Sequence, residues 1–259
     1  LVVLTRPSAT ELPEVFTRWF AARGWAPRRH QLDLLEKAQA GRSALLIAPT
    51  GAGKTLAGFL PSLVESSQSS GEGRGAPSAK GGEDQRSARL ARSATSKLIS
   101  TGRGIRRGGG LHTLYISPLK ALAVDIARNL ERPVAEMSLP IRIETRTGDT
   151  PVSKRQRQRR DPPDILLTTP EQLALLLASA DAPYLFGSLK RVILDELHSL
   201  VLSKRGDLLA LGVARLFAIA PRLTTVGLSA TVADPDALCR YLVPQTGGDD
   251  KADLVLAAP

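Results

Sequence analysis

The sequence of 259 residues has a single cysteine, Cys239. No disulfide can form within it, and that scarcity suits a reducing compartment. It has no run of 18 apolar residues, so no helical membrane span is expected. The first stretch, LVVLTRPSATELPEVF, lacks a basic start and turns polar too early for a secretory leader. A cytoplasmic protein is therefore expected. Residue 1 is Leu rather than Met, which suits a non-standard start, a processed end or a fragment. Acidic residues are in the minority, 25 against 35 basic, for a net charge of +10. Such an excess favours an anionic partner such as nucleic acid. Yet residues 66–110 alone hold nine basic and three acidic residues. More than half of the excess sits there, so charge by itself supports nucleic-acid binding only weakly.

Apolar residues make up 42% of the chain, enough for a substantial core, and the length suits one large α/β domain or two small ones. The most informative stretch is ALLIAPTGAGKT, residues 44–55. Ala44-Leu45-Leu46-Ile47 reads as a buried strand, and a helical pattern follows the glycines. Strand, glycine loop and helix in that order cradle phosphate, because loop and helix N–H groups point at one anion. Gly51 and Gly53 can take positive φ and let the backbone approach a ligand closely. The expected ATP-binding set is Thr50, Gly51, Ala52, Gly53, Lys54 and Thr55. Lys54 reaches the β- and γ-phosphates, and the Thr55 hydroxyl ligates Mg²⁺. The strict pattern places Gly where this chain has Ala48, a position that tolerates a small residue.

Upstream, residues 11–43 form a helical segment broken at Gly24 and Pro27. Leu12, Val15, Phe16, Trp19 and Phe20 recur at helical spacing and are most simply core. A sharper reading has one of these aromatics, or Trp25, stack on an adenine ring. Gln31, just ahead of the phosphate loop, offers a two-sided amide that can read the adenine edge. Downstream, the first helix is expected to end near Glu65. Residues 66–110 are rich in Ser, Gly and Arg and read as a disordered insertion, or as a basic arm on nucleic acid.

Beyond the insertion, strands are expected at 112–117, 141–146, 164–168, 191–195 and 224–229. Helices are expected at 119–131, 152–160, 171–179, 206–219 and 234–242. The alternation implies an α/β domain with a mostly parallel sheet and helices on both faces. Ligands of such sheets bind at the carboxyl ends of strands, where each remaining motif falls.

The strand Val192-Ile193-Leu194 runs into Asp195-Glu196-Leu197-His198. Adjacent carboxylates there suit phosphate transfer. Asp195 is expected to hold Mg²⁺ through water, and Glu196 to orient and deprotonate the attacking water. His198 is expected to sense the γ-phosphate site. Ser229-Ala230-Thr231 closes another strand and suits a coupling role for Ser229 and Thr231. Ser117-Pro118-Leu119-Lys120 and Thr168-Thr169-Pro170-Glu171 are strand-to-helix turns with capping chemistry. Their free N–H groups and hydroxyls suit nucleic-acid phosphates, as does Thr147-Gly148-Asp149-Thr150. The basic run Lys154 to Arg160 reads as a solvated helix face.

In order, APTGAGKT, SPLKAL, TGDT, TTPEQL, DELH and SAT resemble the motifs of superfamily 2 DExH-box helicases. WFAARGWAPRRHQ followed by GRSALLIAPTGAGKTLAGFLPSL resembles the Lhr-like group, nearest its bacterial ligase-associated DNA damage response members. The resemblance implies a RecA-like P-loop NTPase lobe in an ATP-driven translocase on single-stranded DNA, acting in DNA repair with Mg²⁺ and ATP. Lys54, Thr55, Asp195 and Glu196 match the ATPase residues. Pro118, Lys120, Gly148, Thr169 and Pro170 match the nucleic-acid contacts. The motif contacts are to backbone, so they do not separate DNA from RNA. The family uses two such lobes, and ADLVLAAP ends about where the connection to a second would begin. The second lobe is therefore expected to be absent, with DNA repair proteins as further partners. The rival reading is a stand-alone ATP- and single-strand-binding module.

Overall fold

The computed structural model describes residues 12–69 and 110–257. Seven parallel strands form one sheet: β1 (Ala44–Ile47), β2 (Thr113–Ile116), β3 (Ile143–Arg146), β4 (Ile165–Thr168), β5 (Arg191–Leu194), β6 (Thr224–Ser229) and β7 (Asp253–Leu256). Their spatial order is β3-β4-β2-β5-β6-β1-β7. All neighbours run parallel. The residues of β2, β4, β5 and β6 are buried throughout, which fits central strands covered on both faces.

Helices α1 (Glu14–Ala21), α2 (Arg29–Gln39), α3 (Lys54–Ser69) and α4 (Lys120–Glu136) cover one face. Phe16, Trp19 and Phe20 of α1 belong to that core, as their spacing implies. The other face packs under α6 (Pro170–Leu177), α7 (Ala182–Phe186), α8 (Leu197–Val201), α9 (Lys204–Ile219) and α10 (Pro235–Tyr241). Helix α5 (Val152–Arg160) follows β3, and its only buried residue is Gln158. Gln158 donates to Glu144 at 2.9 Å and to the Thr145 carbonyl at 3.1 Å.

Several boundaries differ from the sequence expectation; α4, expected to end at 131, runs to Glu136, and β3, expected from 141, begins at Ile143. Helix α3 continues past Glu65 to Ser69, so the expected insertion begins inside a helix. The rest of it, 70–109, lies outside the described residues. The short helices α7 and α8 span one turn each, too little for a periodicity to register. The segment DLVL, for which no strand was expected, forms β7, which pairs with β1 from Ala44↔Asp253 to Ile47↔Leu256.

At the amino ends of the strands a polar cluster ties α3 to the sheet. Arg191, 2% exposed, donates to Ser62 Oγ at 3.0 Å and Glu65 at 2.7 Å. His112 lies 3.0 Å from the other Glu65 oxygen, and Thr113 donates to Ser62. Burial pushes the Glu65 carboxyl up. Hydrogen bonds from His112 and Arg191 outweigh it and hold the carboxyl down at about 2.

Candidate functional site

The six motifs that follow strands lie at the carboxyl edge of the sheet. Following strand order, TGDT comes after β3, TTPE after β4, SPLK after β2, DELH after β5, SAT after β6 and the glycine loop after β1. The turns expected to touch nucleic acid are therefore neighbours on one half. Those expected to hold the nucleotide are neighbours on the other.

In the nucleotide half, Gly51 and Gly53 take φ of 81° and 76°. A Cβ on Gly53 would also stand 3.1 Å from Gln31 Nε2. Lys54 opens α3, and its Nζ donates to the Ala48 carbonyl at 2.8 Å. No carboxylate pairs with it among the described residues. The loop is braced from α2: Arg28 Nη1 donates to the Gly51 carbonyl at 3.4 Å, and His30 Nε2 lies 3.0 Å from the Ala52 carbonyl. Burial lowers the His30 pKa, so its ring is neutral near pH 7. His30 was not expected as a site residue; its place beside Gln31 is the only signal. Gln31 is buried, and its Oε1 accepts the Arg28 backbone N–H at 2.9 Å. Its Oε1 closes the α2 N-terminus and keeps a second lone pair for a ligand, while Nε2 faces the loop. Trp25, 58% exposed, lines a pocket of about 400 Å³ with Arg28, Gln31, Gly53 and Leu56.

One strand away from the loop, Ser229 is fully buried at the end of β6. Its Oγ lies 2.7 Å from His198 Nδ1 and 3.4 Å from the Thr231 carbonyl. Gly227 makes this approach feasible, since a Cβ there would stand 2.9 Å from Leu197, the neighbour of His198. Glu196 Oε2 lies 3.6 Å from the same imidazole nitrogen. The Glu196 backbone is left-handed, φ 48° and ψ 44°. For a non-glycine residue that costs about 1–2 kcal/mol, and it turns the chain sharply from strand into α8. Asp195 is 5% exposed; its Oδ1 accepts the Glu196 N–H at 3.0 Å.

In the other half, Leu119 is the N-cap of α4 and Thr169 that of α6; neither side chain caps its helix. Ser117 Oγ accepts the Leu119 N–H at 3.4 Å. Pro118 is half-buried, and Pro170 is buried at the first position of α6. Lys120 is exposed and ion-paired with Asp149 of the TGDT turn. Thr147 N–H donates to Thr150 Oγ1 at 2.9 Å, which closes that turn. Gly148 is exposed, and a Cβ there would meet nothing within 4 Å. The fold itself therefore does not require glycine at 148. Arg205 holds the Glu171 carboxyl below its usual range, and the Thr169 hydroxyl adds to this. Of the basic run in α5, Arg155 donates to the Thr147 carbonyl at 3.3 Å, and Arg157 pairs with Glu144 at 2.7 Å. These two arginines are fold contacts rather than a freely solvated face.

Known proteins share this arrangement. The DEAD/DEAH box helicase family profile matches residues 28–238. The Lhr helicase/uracil glycosylase of Escherichia coli (strain K12) is 38% identical over 94% of this chain, which spans 15% of that relative. The ATP-dependent helicase Lhr-Core of Methanothermobacter thermautotrophicus is 35% identical over 83% of this chain and 22% of its own length. The solved structure of Mycobacterium smegmatis helicase Lhr bound to ssDNA and AMP-PNP superposes with a TM-score of 0.72 at 32% identity. That match covers 96% of this chain and 28% of the other. With its glycine loop and DELH on either side of the SAT turn at one edge of a parallel sheet, the chain belongs to the DEAD/DEAH box helicase family.

Proposed function

We propose that the chain is the first motor lobe of an ATP-dependent helicase that moves on single-stranded nucleic acid. The observation that carries this reading is the partition of the carboxyl edge. Glycine loop, SAT and DELH stand on consecutive strands, and SPLK, TTPE and TGDT continue along the same edge. Chemistry on a phosphate in one half can then move contacts to a strand in the other.

The donor set fits Mg²⁺. Thr55 offers a hydroxyl and Asp195 a carboxylate, the hard oxygen ligands that ion takes alongside water and phosphate oxygens. When bound, Mg²⁺ would neutralise charge on the β- and γ-phosphates. Lys54 exchanges the Ala48 carbonyl for phosphate, and loop N–H groups from Thr50 to Gly53 line the anion. Glu196 takes the proton of the attacking water. His198 passes the state of that site to Ser229 and the SAT turn. Gln31 Nε2 and Trp25 contact the base. Lys120, Thr169, the α4 and α6 N-termini around Pro118 and Pro170, and the open face of Gly148 hold the sugar–phosphate backbone. DNA rather than RNA as the track, a role in repair, a cytoplasmic site of action and a second lobe beyond this chain belong to the same proposal. They rest on the resemblance, and the ssDNA-bound Lhr structure supports the choice of DNA.

A titration with a fluorescent ATP analogue and a labelled oligonucleotide tests the reading. Both should bind, and oligonucleotide affinity should fall steeply with salt. Failure of either ligand to bind would overturn it. Supplying the second lobe should make hydrolysis respond to DNA.

A further inference from the structure

Strand β2 carries one side chain with no part in the roles above. Tyr115 is fully buried at the centre of the sheet, opposite Ile193 of β5. Its phenol donates to Oδ2 of Asp195. The other oxygen of Asp195 is held by the Glu196 N–H. Each carboxylate oxygen therefore has its own donor, one from β2 and one from the turn after β5. The Tyr115 ring also stacks on Phe59, with centroids 5.3 Å apart and planes 25° apart. Phe59 belongs to α3, the helix that Lys54 and Thr55 open. Burial, then the charge of Asp195, pushes the phenol pKa far above its usual value, so the hydroxyl is a donor at any working pH.

We propose that Tyr115 is a positioning residue for ATP hydrolysis. Its phenol fixes the orientation of Asp195, and its ring ties that carboxylate to the phosphate-loop helix. The inference rests on the ATPase reading, because it gives a consequence to an orientation that would otherwise only satisfy a buried hydroxyl. Without the phenol, Oδ2 loses its donor in a buried setting and the carboxylate turns away. That change weakens its hold on the Mg²⁺ shell. Partners of metal-binding groups typically contribute about 10–100-fold to metal affinity.

The test is a Mg²⁺ titration of fluorescent ATP-analogue binding by the 259-residue chain. Wild type, Tyr115→Phe, Asp195→Asn and the double variant are compared. Tyr115→Phe should raise the Mg²⁺ midpoint about tenfold, leave metal-free nucleotide binding unchanged, and add nothing in the Asp195→Asn background. An unchanged or lower midpoint overturns the inference, as does an equal shift in both backgrounds. A wild type that binds no nucleotide overturns the ATPase reading and this inference together. If Tyr115→Phe does not fold, the wild-type chain decides by NMR with ¹³Cζ-labelled tyrosine. The sequence has three tyrosines, and Tyr184→Phe and Tyr241→Phe assign the other two signals. The Tyr115 signal should move when Mg²⁺ joins bound nucleotide, and a stationary signal overturns the inference.

Discussion

The two halves of the carboxyl edge treat their cations differently. In the nucleotide half, Lys54 donates to a backbone carbonyl and faces no carboxylate among the described residues. In the other half Lys120 is paired with Asp149, and Thr169 and Arg205 are engaged by Glu171. A bare cation over a loop of N–H groups is already arranged for an anion. A neutralised one must first give up an internal acid. The first half is therefore arranged to hold an anion, and the second to exchange one charged partner for another. Exposed ion pairs contribute roughly 0–1 kcal/mol, so that exchange is easily reversed.

Substitutions can break this contrast, beginning with the largest effect. Glu196→Gln should lower turnover about 1,000-fold in a hydrolysing two-lobe preparation, within the range for general-base loss. It should leave both ligands bound, and unchanged turnover would refute the role given to Glu196. Lys54→Ala should weaken nucleotide binding about 100-fold, as loss of one preorganised cationic donor does. Oligonucleotide affinity should stay within a factor of about two, because Lys54 bonds only the Ala48 carbonyl and touches none of the turns of the other half. Acid should remove both bindings together, since the halves share one scaffold. The Glu65 carboxyl, ordinarily at 4.5, is held at about 2 in the fold. Its contribution is present above pH about 4.5 and is lost as pH falls toward 2. Thermal melts across that window should show a steeper loss in wild type than in Glu65→Gln. The smallest effect sharpens the contrast most: Asp149→Asn frees Lys120 and should tighten oligonucleotide binding about threefold at low salt. The gain should fade at high salt, with nucleotide affinity unmoved.

Much of this edge was legible in the sequence because each motif joins an apolar run to a turn with its own chemistry. The parallel order and the placement of all six motifs follow from that rhythm. What was not legible depends on contacts between distant elements. Tyr115 shows as one aromatic in an apolar strand, although a buried hydroxyl usually finds a hydrogen-bond partner. Gln31 gives no sign in sequence that its Oε1 also closes a helix end. Glu65 and Arg191 are 126 positions apart and carry no shared pattern. Strand β7 is four residues, and only Ala257 follows it among the described residues, so the alternation that marks the other strands is not there to read.

That last strand has a bearing on how the lobe behaves in solution. Strand β7 shields one side of β1, and Asp253 at its start is held by Lys37 at 3.2 Å and by Arg42. Shortening the chain by seven or more residues would strip that cover from the strand that feeds the phosphate loop. An uncovered, apolar parallel strand is a template for joining other chains, so such a product would be recovered as aggregate rather than as a weaker ATPase.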